Sequence, residues 1–229
     1  MPRSHASEGD VIEAMLTSDA RSIAVAFESR RRPRRRPAGP AHRPASAPAP
    51  ASGPSARDEA THELDLACVL VINAVEAAAS LGRFVDDRGI DPEGALVFAC
   101  LLHVAGHTAA ADFWWQFAAG GGSRTAAYCL HLSHRRKGEF RDAAFWRAQA
   151  AHDPQERPRP ASRADGRRLL LSDSARHELL VQWHRGLTPH LPAALESVIN
   201  RLAVDSDDED FGEVPQPDPG LVERLSRDV

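Results

Sequence analysis

Ala110–Ala119 reads A-A-D-F-W-W-Q-F-A-A, and Ala143–Ala151 reads A-A-F-W-R-A-Q-A-A. At an offset of 32 residues, Ala111 aligns with Ala143, Phe113 with Phe145, Trp114 with Trp146, and Ala118/Ala119 with Ala150/Ala151. Self-similarity at this length marks helical hairpins that stack, because one hairpin cannot close a core alone. The echo fails at one aromatic, where Trp115 aligns with Arg147. Consecutive helical positions point in different directions, so the run Phe113–Phe117 cannot all face one stripe. Trp115 is therefore expected at the surface or between repeats.

Each echo reads as the second helix of a hairpin. Asp91-Pro92-Glu93 starts the first hairpin: Asp caps free N–H groups, Pro suits the first helical position, and Glu favours the positive end of the dipole. Its first helix runs to about Val104, Gly106-His107-Thr108 makes the turn, and Gly120-Gly121-Gly122 stops the second helix. Ser123 caps the next helix, Gly138 marks its turn, and a partner helix spans about Glu139–Ala151. Before these pairs, Glu59–Leu81 reads as one long helix ending near Gly82. After them, helices are expected at Ser172–Arg185 and Pro192–Ala203. Nothing alternates with period two over a useful length, so the sequence predicts an all-α fold without a sheet.

The pattern A-x-x-W-W-x-x-A-A-x-x-G from Ala111, then A-A-Y-x-L, Gly138 and A-x-x-W-x-x-x-A-A, resembles the tetratricopeptide superfamily. It is most similar to the short bacterial variant with W-Y-x-x-A-A-x-x-G in its second helix. The resemblance covers residues 92–152 and implies antiparallel hairpins stacked as a short repeat, with a face that binds another protein. It brings no catalytic residues. The unit is shorter than the family's usual repeat, and the L-G pair of the first helix is missing. Cys68, in A-C-V-L, precedes Cys100, in A-C-L-L, by 32 residues, which raises a degenerate third unit at 58–88; Cys129 follows Cys100 by 29.

Composition shifts divide the rest. Residues 1–29 hold Val11, Ile12, Met15, Leu16, Ile23 and Phe27 at helical spacing, an amphipathic N-terminal helix. Residues 30–57 are an Arg/Pro/Ala linker expected to be disordered. The helical-repeat domain is placed at 58–153, a polar spacer at 154–164, a C-terminal helical extension at 165–204, and an acidic, Pro-containing tail at 205–229. Net charge is −4 but uneven: ten arginines against five acids in 1–57, and two basic groups against nine acids in 205–229. Lys137 is the one lysine among 28 basic residues, a bias expected of GC-rich bacterial coding. The first thirty residues carry no apolar leader core, and no apolar run approaches the roughly 20 residues of a membrane helix. A cytoplasmic protein without membrane contact is expected.

Chemistry-bearing motifs are sparse. The three cysteines lie in apolar segments without C-x-x-C, as expected of separate buried thiols rather than a disulfide framework or zinc site. His103, His107, His131 and His134 offer spacings of four and three, which suggests a metal-dependent enzyme as one alternative. No H-E-x-x-H or G-x-S-x-G accompanies them. A DNA-binding or transcription-associated regulator is the other alternative, through Arg30, Arg31, Arg32, Arg34, Arg35 and Arg36 or the cluster Arg135-Arg136-Lys137. The leading expectation is a non-catalytic regulatory or adaptor protein with no cofactor. Its partner-binding residues would be Trp115, Tyr128, His131, Arg135 and Arg147.

Overall fold

Ser55 caps the first described helix: its hydroxyl accepts from the Asp58 amide, and the Asp58 carboxylate accepts from the Ser55 amide. The computed structural model describes residues 55–86, 91–151, 169–208 and 212–227. The expected N-terminal helix at 1–29, most of the linker at 30–57 with its arginine run, and the spacer at 154–164 lie outside them. Nine helices are present among the described residues: α1 Ala56–Ile72, α2 Ala77–Asp86, α3 Pro92–Val104, α4 Thr108–Gly120, α5 Arg124–Lys137, α6 Phe140–Ala151, α7 Asp173–His184, α8 Ala193–Asn200 and α9 Leu221–Arg227. The fold is all-α, with neighbouring helices packed in pairs.

The start and stop signals act as their chemistry requires. Asp91 Oδ1 accepts from the amides of Glu93 and Gly94, and Pro92 occupies the first turn of α3. Ser123 caps α5 and Ser172 caps α7. Gly138 ends α5 at φ +83°, a left-handed position that glycine adopts without a side-chain penalty. Nearly all of α3 is buried, from Gly94 to Val104. Gly94 is required by packing: a Cβ there would collide with Phe84 Cβ and the Ser80 carbonyl of α2.

Three expectations are corrected. The single helix over Glu59–Leu81 is broken into α1 and α2, bent by 79°. Asn73 is the C-cap of α1, and its carbonyl accepts from Arg176 of α7, a tertiary contact that fixes the break. The absence of a sheet is overturned by an antiparallel hairpin, β1 Val204–Asp208 with β2 Gly212–Pro215. It is anchored by buried Val214 and by the Trp114 indole N–H donating to the Pro215 carbonyl at 3.1 Å. Within the expected tail at 205–229, Leu221 and Leu225 of α9 join the core, both fully buried.

The hairpins α3/α4 and α5/α6 form, and α4 packs on α5 as adjacent repeats do. A linear stack would leave α1 touching only its neighbours. Instead α1 packs against α3 and also against α5, while α7 lies on α1. Trp183 of α7 stacks on His62 with ring centroids 4.5 Å apart and donates to the His62 carbonyl. Among the described residues no single helix is long and apolar enough to cross a membrane.

Candidate functional site

Helices α5 and α6 carry four of the five residues expected to bind a partner. The Tyr128 and His131 rings are 6.0 Å apart on α5. His131 is buried, and its Nδ1 lies 2.7 Å from the Ala143 carbonyl, so it pins α6 to α5 by donating that ring proton. Burial, together with the positive charges of Arg135 and Arg147, holds His131 below the usual imidazole value. The Ala143 carbonyl and the Glu63 carboxylate oppose that shift without reversing it. Arg135 reaches Glu63 of α1 at 3.9 Å, and Arg147 is exposed on α6.

Trp115 does not join them. It is 0% exposed, and the expectation of a surface position is corrected. Its mismatch with Arg147 marks a change of environment between the two hairpins: α4 is covered on several sides, whereas α6 buries only Ala143 and packs on α5. Phe140 is 67% exposed and Phe145 55%. Ala144, Ala148 and Ala151 are exposed on the same helix, with Arg141 and Arg147 among them.

The four histidines do not converge, which corrects the proposed histidine metal site. His107 bonds Asn200 at 2.7 Å, His134 bonds Glu139 at 2.6 Å, His131 bonds Ala143, and His103 Nε2 lies 2.8 Å from Asp65 Oδ1. The basic cluster after α5 is partly committed to internal partners. Lys137 pairs with the buried carboxylate of Asp112, which also accepts from Ser133 at 2.7 Å. These contacts tie α5 to α4.

The sequence reading missed the convergence of Cys68, Cys100 and Cys129. All three are reduced and fully buried, and their sulfurs lie within 4.8 Å of one another. They come from α1, α3 and α5, the three helices that α1 brings together. Their near-repeat spacing was the available signal: similar positions in successive units fall at similar heights once those helices meet. Burial pushes the Cys100 thiol up, but the Cys129 and Cys68 thiols, the Trp115 N–H and the charge of His103 outweigh it and leave Cys100 well below its ordinary value. Cys68 is pushed well up by burial and by its two neighbours, and Cys129 is raised chiefly by Cys100.

The described residues therefore present an uncovered aromatic helix at one edge and a thiol cluster at the centre. Comparison with protein-family models, with curated proteins and with solved structures finds no match to this chain.

Proposed function

We propose that this chain is a non-catalytic adaptor or regulatory protein whose helix α6 receives a helix of another protein. The observation that carries the reading is the uncovered face of α6. It repeats the chemistry of α4, with Phe145 and Trp146 in the places of Phe113 and Trp114. On α4 that chemistry is met by α2, α3 and β2, where Trp114 packs edge-on to Phe84 and Phe98 and donates to the Pro215 carbonyl, whereas α6 has Phe140, Phe145 and three alanines exposed. Small residues beside aromatics let a second helix approach closely. The tetratricopeptide-like pattern supports the same reading, since such repeats bind partners on stacked helices. Arg141 and Arg147 favour a partner helix with an apolar stripe and acidic flanks.

The test is affinity capture from the native cell extract with the full chain, the Phe145→Ser form and the Arg147→Glu form, followed by binding of the purified partner. A partner held by the natural chain and weakened at least tenfold by each substitution supports the surface. A partner retained equally by both variants places binding elsewhere. Self-association abolished by Phe145→Ser identifies the occupant as a second copy.

A further inference from the structure

We infer that Cys68, Cys100 and Cys129 bind one zinc-like divalent ion at the junction of α1, α3 and α5, with His103 as the fourth ligand. The sulfurs lie within 4.8 Å of one another in a fully buried site. Tetrahedral thiolate zinc has bonds of about 2.3 Å, which separates its sulfurs by about 3.8 Å. The three side chains therefore close on an ion by rotamer adjustment, without refolding the helices.

Two further observations point to the same place. Buried polar atoms normally have partners, yet His103 Nδ1 and Trp115 Nε1 have none that meets hydrogen-bond geometry. His103 stands one helical turn beyond Cys100 on α3, and its ring centroid is 5.5 Å from that of Trp115. Asp65 of α1 occupies the other ring nitrogen at 2.8 Å. A carboxylate only accepts, so Nε2 donates to it, and Nδ1 is the nitrogen whose lone pair a metal would take in the neutral ring. This is the arrangement of a metal-bound histidine oriented by a carboxylate. The His103 nitrogens lie outside the envelope shared by the sulfurs, so the ring moves toward them when the ion enters. Both side chains are about 95% buried, with 5% and 6% exposed, which suits a closed structural site.

Coordination as thiolates releases the thiol protons to solvent and oxidises nothing. Three thiolates leave the zinc site with one net negative charge. The buried Trp115 N–H, beside His103, is available to offset part of it by donating to a thiolate. A metal would therefore take up the orphaned His103 nitrogen. Three thiols packed only as small apolar groups leave it unpartnered.

The test uses the full chain, reduced and stripped of metal under anaerobic conditions, then titrated with Co2+ and separately with Zn2+. The expected results are saturation at about one ion per chain, a sulfur-to-cobalt charge-transfer band and a Tm raised by several degrees with zinc. A flat titration with no charge-transfer band and no change in Tm overturns the proposal without any variant. Cys100→Ser and Cys129→Ser are each expected to lose the band while circular dichroism confirms retained helices. If either variant unfolds, protection of the natural chain's thiols from alkylation by stoichiometric zinc decides the question. His103→Ala is expected to keep cobalt with shifted visible bands; an unchanged spectrum removes His103 from the ligand set. His134, Glu139 and Asp142 form the other potential group among the described residues. Cobalt binding lost in His134→Ala but kept in Cys100→Ser would also overturn the assignment.

Discussion

The hairpins α3/α4 and α5/α6 share a sequence echo and differ in almost every environment it creates. In the first, α3 is buried along its length and Trp115 of α4 is sealed among α-helices. In the second, α6 rests on α5, exposes Phe145 and carries Arg147 where the first has Trp115. A repeat thus specifies how a hairpin closes on itself; burial of its outer face depends on whether another helix follows. For α4 the follower is α5. After α6, the next described helix, α7, packs on α1 instead.

The largest expected effect tests that contrast directly. Trp115→Ala should cost about 3–5 kcal/mol, the range for emptying a buried aromatic position. Arg147→Ala, at the aligned place, should stay within about 0.5 kcal/mol. Urea unfolding of the two variants measures both, and equal losses would break the comparison. Next is Gly94→Ala, expected to cost about 1–3 kcal/mol because the new Cβ must displace Phe84 and the Ser80 carbonyl. A gain in stability would show that the α2–α3 crossing is looser than its geometry.

The caps sharpen the comparison further. Asp91→Ala and Ser123→Ala should each cost about 1 kcal/mol at neutral pH. Only the first loss should depend on acid. Burial pushes Asp91 up, but Arg83 and the amides of Gly94 and Glu93 outweigh it and leave its folded value lowered. Its contribution is therefore present above the unfolded carboxylate value and disappears as pH falls through the lower folded one. Thermal unfolding from pH 7 down to pH 3 should show the Asp91→Ala difference shrinking and the Ser123→Ala difference holding. The smallest stability effect is Phe145→Ala, within about 0.5 kcal/mol. Calorimetric unfolding of that form should match the natural chain even where partner binding is lost.

Local signals were legible in the sequence because they act through local atoms. Asp91, Ser123 and Ser172 cap helices from their own side chains, and Gly138 supplies its own left-handed turn. The misses lie where a distant residue decides. The break after Ile72 involves Arg176, and the β1–β2 hairpin is held by Trp114 from 101 residues away. Burial of Trp115 depends on neighbours that its helical spacing does not name. Of the residues expected to bind a partner, Tyr128, His131, Arg135 and Arg147 lie on the adjoining helices α5 and α6, but His131 is buried against the Ala143 carbonyl and Arg135 reaches Glu63, contacts that no local pattern names. Phe140 and Phe145 were not singled out, because exposure reflects a missing neighbour rather than a local pattern. The thiol cluster required knowing that α1 meets both α3 and α5, which a strictly linear stack does not provide.

The pairing of Lys137 with Asp112 gives the protein an unusual chemical handle. The chain has one lysine, and that lysine neutralises a carboxylate buried between α4 and α5. Any reagent or enzyme that acylates lysine therefore has a single side-chain target, and modification there removes the counter-charge joining two hairpins. Apart from the terminal amine, an amine label therefore has one site, and its reaction there probes whether α4 and α5 remain docked.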